Sequence, residues 1–126
     1  MPKSVPALPG SEAGALPFSQ IVEANGFVFL AGQVGNAPGV DGAVPGGIEA
    51  ETRQMLDNVG RLLRAVGLDY RDVVKATVYL RDFDDFGTMN AVYRGYFPTE
   101  PPTRATVGVT ALAQAFRVEI EILAAR

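Results

Sequence analysis

Apolar residues between positions 48 and 66 recur at the spacing of one face of an α-helix. They are Ile48, Met55, Leu56, Val59, Leu62, Leu63 and Val66. Gly67 follows directly, and glycine is typical of the position after a helix because it adopts a left-handed backbone without strain. A helix with a single apolar stripe needs a second layer that covers the stripe. The pattern therefore predicts an amphipathic helix packed against a sheet.

Shorter runs on both sides of this helix have the composition of β-strands. Residues 18–24 and 26–31 are joined by Asn25-Gly26, the pair most typical of a two-residue hairpin turn. The second run is apolar at successive positions, which predicts burial of both its faces, with Phe27 and Phe29 in the core. Further strands are expected at 73–80, 103–109 and 117–124.

A second helix is predicted after Asp82 or Asp84, either of which can cap its first turn. Its buried face would consist of Phe86, Met89, Val92, Tyr93 and Phe97. Two helices and about five strands predict a single α+β domain, with the helices on one face of the sheet. The domain is expected to span residues 1–126, with 1–15 as an irregular N-terminal segment.

Alternation along the last two strands separates apolar from polar residues. Arg104 and Thr106 alternate with small and β-branched residues, and Glu119 and Glu121 alternate with Val118 and Ile120. We expect the two polar sets to share the face of the sheet that the helices leave open. Such a face needs a cover, which predicts a homo-oligomer with Arg104 near the contact between subunits.

Arg104 is the leading candidate for ligand binding. Arginine stays protonated and presents a planar fork of donors, so its natural ligand is a carboxylate or a phosphate. In a functional interpretation, Arg104 binds the substrate anion while Glu119 holds a water molecule or a polar substrate group. In a structural interpretation, the two side chains form an ion pair between neighbouring strands.

The composition excludes several kinds of chemistry. The 126 residues contain no histidine and no cysteine, which excludes a Ser-His-Asp triad, a Cys-His pair and thiolate or imidazole metal sites. The net charge of −3 and the presence of only two lysines disfavour a nucleic-acid partner. No apolar run approaches the length of a membrane span or a signal peptide, so we expect a cytoplasmic protein.

Three weaker sequence features could mark a functional site, but each also has a purely structural explanation. Asn90 interrupts the second helix and either faces solvent or lines a site. The turn at Gly32 either presents N–H groups to a ligand or is an ordinary strand exit. Asp82, Asp84 and Asp85 are better explained by helix capping than by a metal site.

Seven blocks in order along nearly the whole chain resemble the RidA (YjgF/YER057c/UK114) family. They are ALPFSQ at 15–20, LAGQ at 30–33, QMLDNV at 54–59, VKATVYL at 74–80, MNAVY at 89–93, PTR at 102–104 and VEIE at 118–121. The resemblance implies a chorismate-mutase-like fold with a mixed sheet, a homotrimer, and sites in the clefts between subunits. It also implies hydrolysis of reactive 2-imino and 2-enamino acids to 2-oxo acids and ammonia, with no metal and no cofactor.

Carried onto this chain, the resemblance assigns the substrate carboxylate to Arg104 and the attacking water to Glu119. The pocket would be lined by Phe18, Ala31, Gly32, Asn90 and Thr106. This chain departs from the archetypal members, which have Tyr in place of Phe18 and Ser in place of Ala31, while many have Cys in place of Thr106. The loss of two hydroxyl groups predicts a less polar pocket and a preference for bulkier or more apolar imino acids.

Two other function classes stay open. A non-catalytic trimer could bind small carboxylates or act as a chaperone, since the Phe18 and Ala31 changes could equally mark lost catalysis. An endoribonuclease or translation inhibitor is a weaker alternative, because a chain without histidine would need an unusual general acid and base.

Overall fold

The computed structural model describes residues 2–8 and 16–126 and shows one five-stranded mixed sheet with two helices. In chain order the elements are β1 (Ile21–Ala24), β2 (Phe27–Val34), α1 (Gly47–Ala65), β3 (Val73–Leu80), α2 (Phe86–Tyr96), β4 (Thr103–Gly108) and β5 (Val118–Ala125). The strand order is β1-β2-β5-β3-β4, and only the β3–β4 pair is parallel. The predicted α+β class and both helices are confirmed.

Turn chemistry accounts for the ends of the best-predicted elements. Asn25 and Gly26 both have positive φ, 52° and 81°, which suits the tight turn that joins two twisted strands. Gly67 has φ 79° just after α1, and the N–H of Leu68 donates to the carbonyl of Leu63. The Asp82 side chain accepts from the N–H of Asp84 in a short 3₁₀ turn before α2. Its predicted capping role therefore applies to that turn.

The described part of the N-terminal segment pairs with the sheet at one isolated backbone bridge, and Leu8 packs against the core. The backbone of Ser4 pairs with that of Glu23, at distances of 2.9 and 2.8 Å. Residues 1 and 9–15 of the predicted irregular segment lie outside the described residues. Within the described ranges, neither helix is long and apolar enough to cross a membrane.

The core lies between the helices and one face of the sheet. Fully buried core side chains include Met55, Leu56, Val59 and Leu63 of α1, Ala76, Val78 and Leu80 of β3, and Val118 and Ile120 of β5. The opposite face is open. Phe27 and Phe29 are 44% and 46% exposed there, so the predicted burial of both β2 faces is wrong within one chain. Side chains alternate along a strand, and the helices cover only one side.

The polar residues of β4 and β5 lie on opposite faces of the sheet. Arg104 is in parallel register with Ala76, and Ala76 points into the core under the helices. Arg104 and Thr106 therefore lie on the helix-covered face. Glu119 pairs with Tyr79, whose hydroxyl donates to Glu121 on the open face. The prediction that both polar sets share the open face is thus wrong for Arg104 and Thr106.

A buried carboxylate joins α1 to the start of β5, and we expect its loss to destabilise the fold. Glu51 is 2% exposed and accepts from the N–H groups of Arg117 and Val118, at 2.5 and 3.2 Å. Because an unsatisfied buried polar group costs about 1–3 kcal/mol, Glu51→Ala should lower the free energy of unfolding by about 3 kcal/mol in urea titrations. Glu51→Gln keeps one acceptor oxygen and should lose less.

The matched control is Glu49→Ala on the same helix. Glu49 forms an exposed ion pair with Arg53 at 3.4 Å, which stabilises a protein by less than about 1 kcal/mol. Equal losses in the Glu49 and Glu51 variants would contradict the structural role of the buried carboxylate.

Candidate functional site

Four of the predicted site residues line one open cleft of about 750 Å³ beside β2 and β5. These residues are Phe18, Ala31, Gly32 and Glu119, and we call them the Glu119 group. Several other lining side chains are apolar, namely Val22, Phe29, Val34, Val40 and Phe116. The cleft thus combines two carboxylates, Glu119 and Asp41, with mostly apolar walls, and Phe18 is 55% exposed at its edge.

Glu119 has the electrostatic properties of a proton acceptor. Partial burial raises the pKa of its carboxyl group, and the nearby Glu121 carboxylate raises it further. Glu119 forms no ion pair among the described residues. A carboxylate whose pKa is raised binds a proton more strongly than an ordinary one, which favours general-base chemistry at neutral pH.

Gly32 makes room for this carboxylate, so we expect Gly32→Ala to disable the site without unfolding the protein. A Cβ atom built on Gly32 would overlap Oε2 of Glu119. Glu119 must then move, and a misplaced catalytic group can reduce the rate by about a hundredfold. We expect a loss of that order in the rate of the reaction at this site, with the circular dichroism spectrum unchanged. Gly95→Ala, on α2 at a position without positive φ and with no neighbour within 4 Å of an added Cβ, controls for glycine replacement itself. Wild-type activity in Gly32→Ala would contradict the steric argument.

A second set of predicted site residues lies at the other end of the sheet, between β4 and α2. We call Asn90, Arg104 and Thr106 the Arg104 group. The guanidinium carbon of Arg104 lies 4.6 Å from the ring centroid of Tyr93 and 5.7 Å from that of Phe86. Asn90 is one turn from Phe86 and nearly one turn from Tyr93, so it shares their side of α2.

Two features make the Arg104 group suitable for an anion. Arg104 forms no ion pair with any described residue. The hydroxyl of Thr106, on the same face of β4, is buried without a hydrogen-bond partner in the described part of the chain. A guanidinium and a hydroxyl with free bonding capacity are donors that suit a carboxylate.

The two groups do not meet within one chain. Strand β3 lies between β4 and β5, and Arg104 and Glu119 are on opposite faces of the sheet. Strands β2 and β4 are three steps apart, or about 14 Å at the usual strand spacing. The structural alternative, an ion pair between Arg104 and Glu119 on neighbouring strands, is therefore wrong. Each group is half of the predicted site.

The structure adds residues that the sequence interpretation did not assign to a site. Tyr93 and Phe86 were predicted as core, although their helical spacing with Asn90 already placed all three on one side of α2. Gln114 lines the cleft and accepts from the N–H of Gly42 at 3.1 Å. Its φ of 50° is unusual for a residue other than glycine, and no sequence signal indicated this turn.

The acidic residues before α2 do not cap that helix. In the described ranges, no group of three His, Cys, Asp or Glu side chains could hold a metal ion. Asp82 accepts a backbone hydrogen bond instead. Helix α2 begins after Asp85, whose side chain makes no capping hydrogen bond, so the predicted capping of α2 by Asp82 or Asp84 is wrong and Asp82 caps only the preceding 3₁₀ turn.

The mixed sheet with two helices on one face defines an α+β protein of the chorismate-mutase-like class. A family model described as Endoribonuclease L-PSP matches residues 11–126, and the chain belongs to that family. The predicted membership in the RidA family is thereby confirmed, because related proteins carry the corresponding names.

Three comparisons define the relationship. A Mus musculus protein named 2-iminobutanoate/2-iminopropanoate deaminase is 45% identical over 108 residues, covering 86% of this chain and 80% of its own. The crystal structure of YyfA of the conserved Rid protein family, from Yersinia pestis, has a TM-score of 0.90 at 32% identity and covers 99% and 100% of the two chains. The structure of E. coli TdcF with bound serine has a TM-score of 0.81 at 35% identity, covering 87% and 88%.

Proposed function

We propose that this protein hydrolyses reactive 2-imino and 2-enamino acids to 2-oxo acids and ammonia. The observation that carries the proposal is the Arg104 guanidinium, which is partly buried yet has no carboxylate partner among the described residues. The mouse relative named as an imine deaminase supports the reaction. TdcF, whose structure holds serine, supports a ligand of amino-acid size with a carboxylate group.

In the proposed reaction, Arg104 and the Thr106 hydroxyl bind the substrate carboxylate and thereby orient C2. Water adds through its oxygen to C2 while Glu119 accepts one water proton, which it then returns to the imine nitrogen. The intermediate carries a hydroxyl and an amino group on C2. Its hydroxyl proton passes to nitrogen as the C–N bond breaks, leaving the 2-oxo acid and ammonia. An enamine first becomes the imine by taking a proton on carbon and losing one from nitrogen.

We further propose that the protein is a homotrimer of single-domain chains spanning residues 1–126, with each site formed where two subunits meet. The separation of the Glu119 and Arg104 groups within one chain supports this arrangement, because in a trimer a neighbouring chain can supply the other half. The exposed Phe27 and Phe29 on the open face supply apolar area for subunit contact. A cytoplasmic location stays a prediction.

Mixing two inactive variants tests the shared site. We would co-refold Arg104→Ala with Glu119→Gln and measure deamination. A site that takes Arg104 from one subunit and Glu119 from another is intact in about a quarter of the randomly assembled sites, so activity should return to about that fraction. No recovery, despite mixed oligomers in native mass spectrometry, would place each site within one chain.

The activity itself is tested by coupling an amino-acid oxidase or a serine dehydratase to this protein and following 2-oxo acid release. We expect acceleration by the wild type and, at imine concentrations below KM, about a hundredfold less by Arg104→Ala. No acceleration with several imines would contradict the proposed reaction and would favour the alternative, a non-catalytic trimer that binds small carboxylates or acts as a chaperone.

The walls of the cleft indicate which imines should react best. Phe18 and Ala31 present no hydroxyl group, and the neighbouring lining residues are largely apolar. A larger apolar side chain gains free energy by contact with such walls, at about 0.8 kcal/mol per buried methylene. We therefore expect a higher kcat/KM for the imine derived from leucine than for that from serine, with Ala31→Ser narrowing the difference. Equal turnover of the two imines would contradict this preference.

A further inference from the structure

We infer that Tyr93 is a positioning residue, whose ring holds the Arg104 guanidinium by stacking and keeps it ready to bind a substrate carboxylate. The inference deepens the proposed function and rests on it. A partly buried arginine ordinarily has an acidic partner, and among the described residues Arg104 has none. Arg104 instead lies against an aromatic ring, and this contact needs an explanation.

The contact has the geometry of a cation–π interaction. The guanidinium carbon lies 4.6 Å from the centroid of the Tyr93 ring, within the roughly 6 Å range of such contacts. Phe86, at 5.7 Å, provides a second and more distant ring. Because the guanidinium lies over the ring, its N–H donors at the edge stay available for a ligand. A carboxylate partner would instead occupy those donors and neutralise the charge.

Tyr93 is itself held firmly. It is 5% exposed, and its ring centroid lies 4.7 Å from that of Phe97, which contacts Tyr70 at 5.8 Å. Its hydroxyl is buried and has no hydrogen-bond partner in the described part of the chain. The contact with Arg104 is made by the ring, and the packing of that ring against Phe97 fixes its position. A fixed ring restricts the positions of the long Arg104 side chain before any ligand arrives, which reduces the entropy lost on binding.

The chain offers matched variants that separate positioning from packing. Tyr93→Phe keeps the ring, whereas Tyr93→Leu keeps an apolar side chain without the π face. The probe is 2-oxobutanoate, titrated by calorimetry, so the measurement does not depend on turnover. We expect Tyr93→Phe to bind like the wild type and Tyr93→Leu to bind about three- to twentyfold more weakly. For the imine substrate, Tyr93→Leu should raise KM more than it lowers kcat.

A double-mutant cycle decides whether Tyr93 acts through Arg104. In an Arg104→Ala background, Tyr93→Leu should weaken 2-oxobutanoate binding no further, because the group that it positions is gone. Val92→Ala, a buried neighbour on α2 at 6% exposure, serves as the packing control and should leave binding unchanged. An equal effect of Tyr93→Leu in both backgrounds, or equal binding by the Leu and Phe variants, would overturn the inference.

The outcomes also separate this inference from the proposed function. Tight binding of 2-oxobutanoate that depends on Tyr93 but comes with no imine turnover would leave the positioning role in place and contradict the deaminase. Turnover that depends on Arg104 but not on the ring of residue 93 would support the deaminase and contradict the positioning role of Tyr93.

Discussion

Arg104→Ala is expected to lower kcat/KM for a 2-imino acid on the order of a hundredfold. The substitution removes the charge-assisted hydrogen bonds proposed between Arg104 and the substrate carboxylate, each of which would contribute about 1.5–3 kcal/mol, where about 1.4 kcal/mol corresponds to tenfold. Most of the effect should appear in KM, because the carboxylate binds similarly before and during the reaction. A smaller decrease in kcat should follow from poorer orientation of C2.

Arg94→Ala is the matched control for this prediction. Arg94 is exposed in the last turn of α2, so its replacement removes the same charge from the same region without altering the proposed site. Wild-type kinetics are expected. If Arg94→Ala and Arg104→Ala lose activity equally, the effect comes from net charge and the anion-binding role of Arg104 is wrong.

Glu119→Gln is expected to lower kcat by about 10²–10⁴-fold, the usual range for removing a general base. Glutamine has nearly the same shape and still fits beside Gly32, but it cannot accept the water proton. KM should change little, because the proposed carboxylate contacts lie on Arg104 and Thr106. Fixed-time assays of 2-oxo acid release at saturating substrate measure the effect. Glu121→Gln, on the same strand and face, should retain most activity.

The pH dependence of kcat/KM should reflect the protonation of Glu119. Desolvation raises its pKa, and Glu121 raises it further, so the carboxyl group is protonated at a higher pH than an ordinary glutamate. Since the proposed mechanism needs the ionised form, kcat/KM should fall with decreasing pH through this raised pKa. Glu121→Gln removes one cause of the shift and should move the acid limb to lower pH. An acid limb that is identical in both proteins would contradict the assignment.

The same shift predicts an effect of Glu119→Gln on stability. A carboxyl group whose pKa is higher in the folded than in the unfolded state stabilises the fold when protonated. That contribution is fully present below the unfolded-state pKa and is lost as the pH rises through the folded-state pKa. At neutral pH the ionised Glu119 therefore destabilises the fold, and Glu119→Gln should raise Tm in differential scanning calorimetry. The difference should vanish in acid. A variant that loses both activity and stability at neutral pH would point to a structural role instead.

Local sequence features determined most of the elements of this protein. The apolar stripe and Gly67 predicted a helix over 48–66, and α1 spans Gly47–Ala65. Asn25-Gly26 predicted the first hairpin, and strand composition predicted β3 at its observed bounds. These features succeed because side-chain periodicity and turn conformations depend on a few adjacent residues. The family followed from short blocks of residues, and the comparisons confirm it.

The arrangement of the candidate site was decided by tertiary structure. Alternation along a strand shows which side chains share a face, but it does not say which face the helices will cover. The parallel pairing of β4 with β3 places Arg104 beside the buried Ala76, while the antiparallel pairing of β5 places Glu119 on the open side. The sequence thus determined the local elements and the chemistry of the candidate residues. Only long-range strand pairing decided that one chain keeps Arg104 and Glu119 apart.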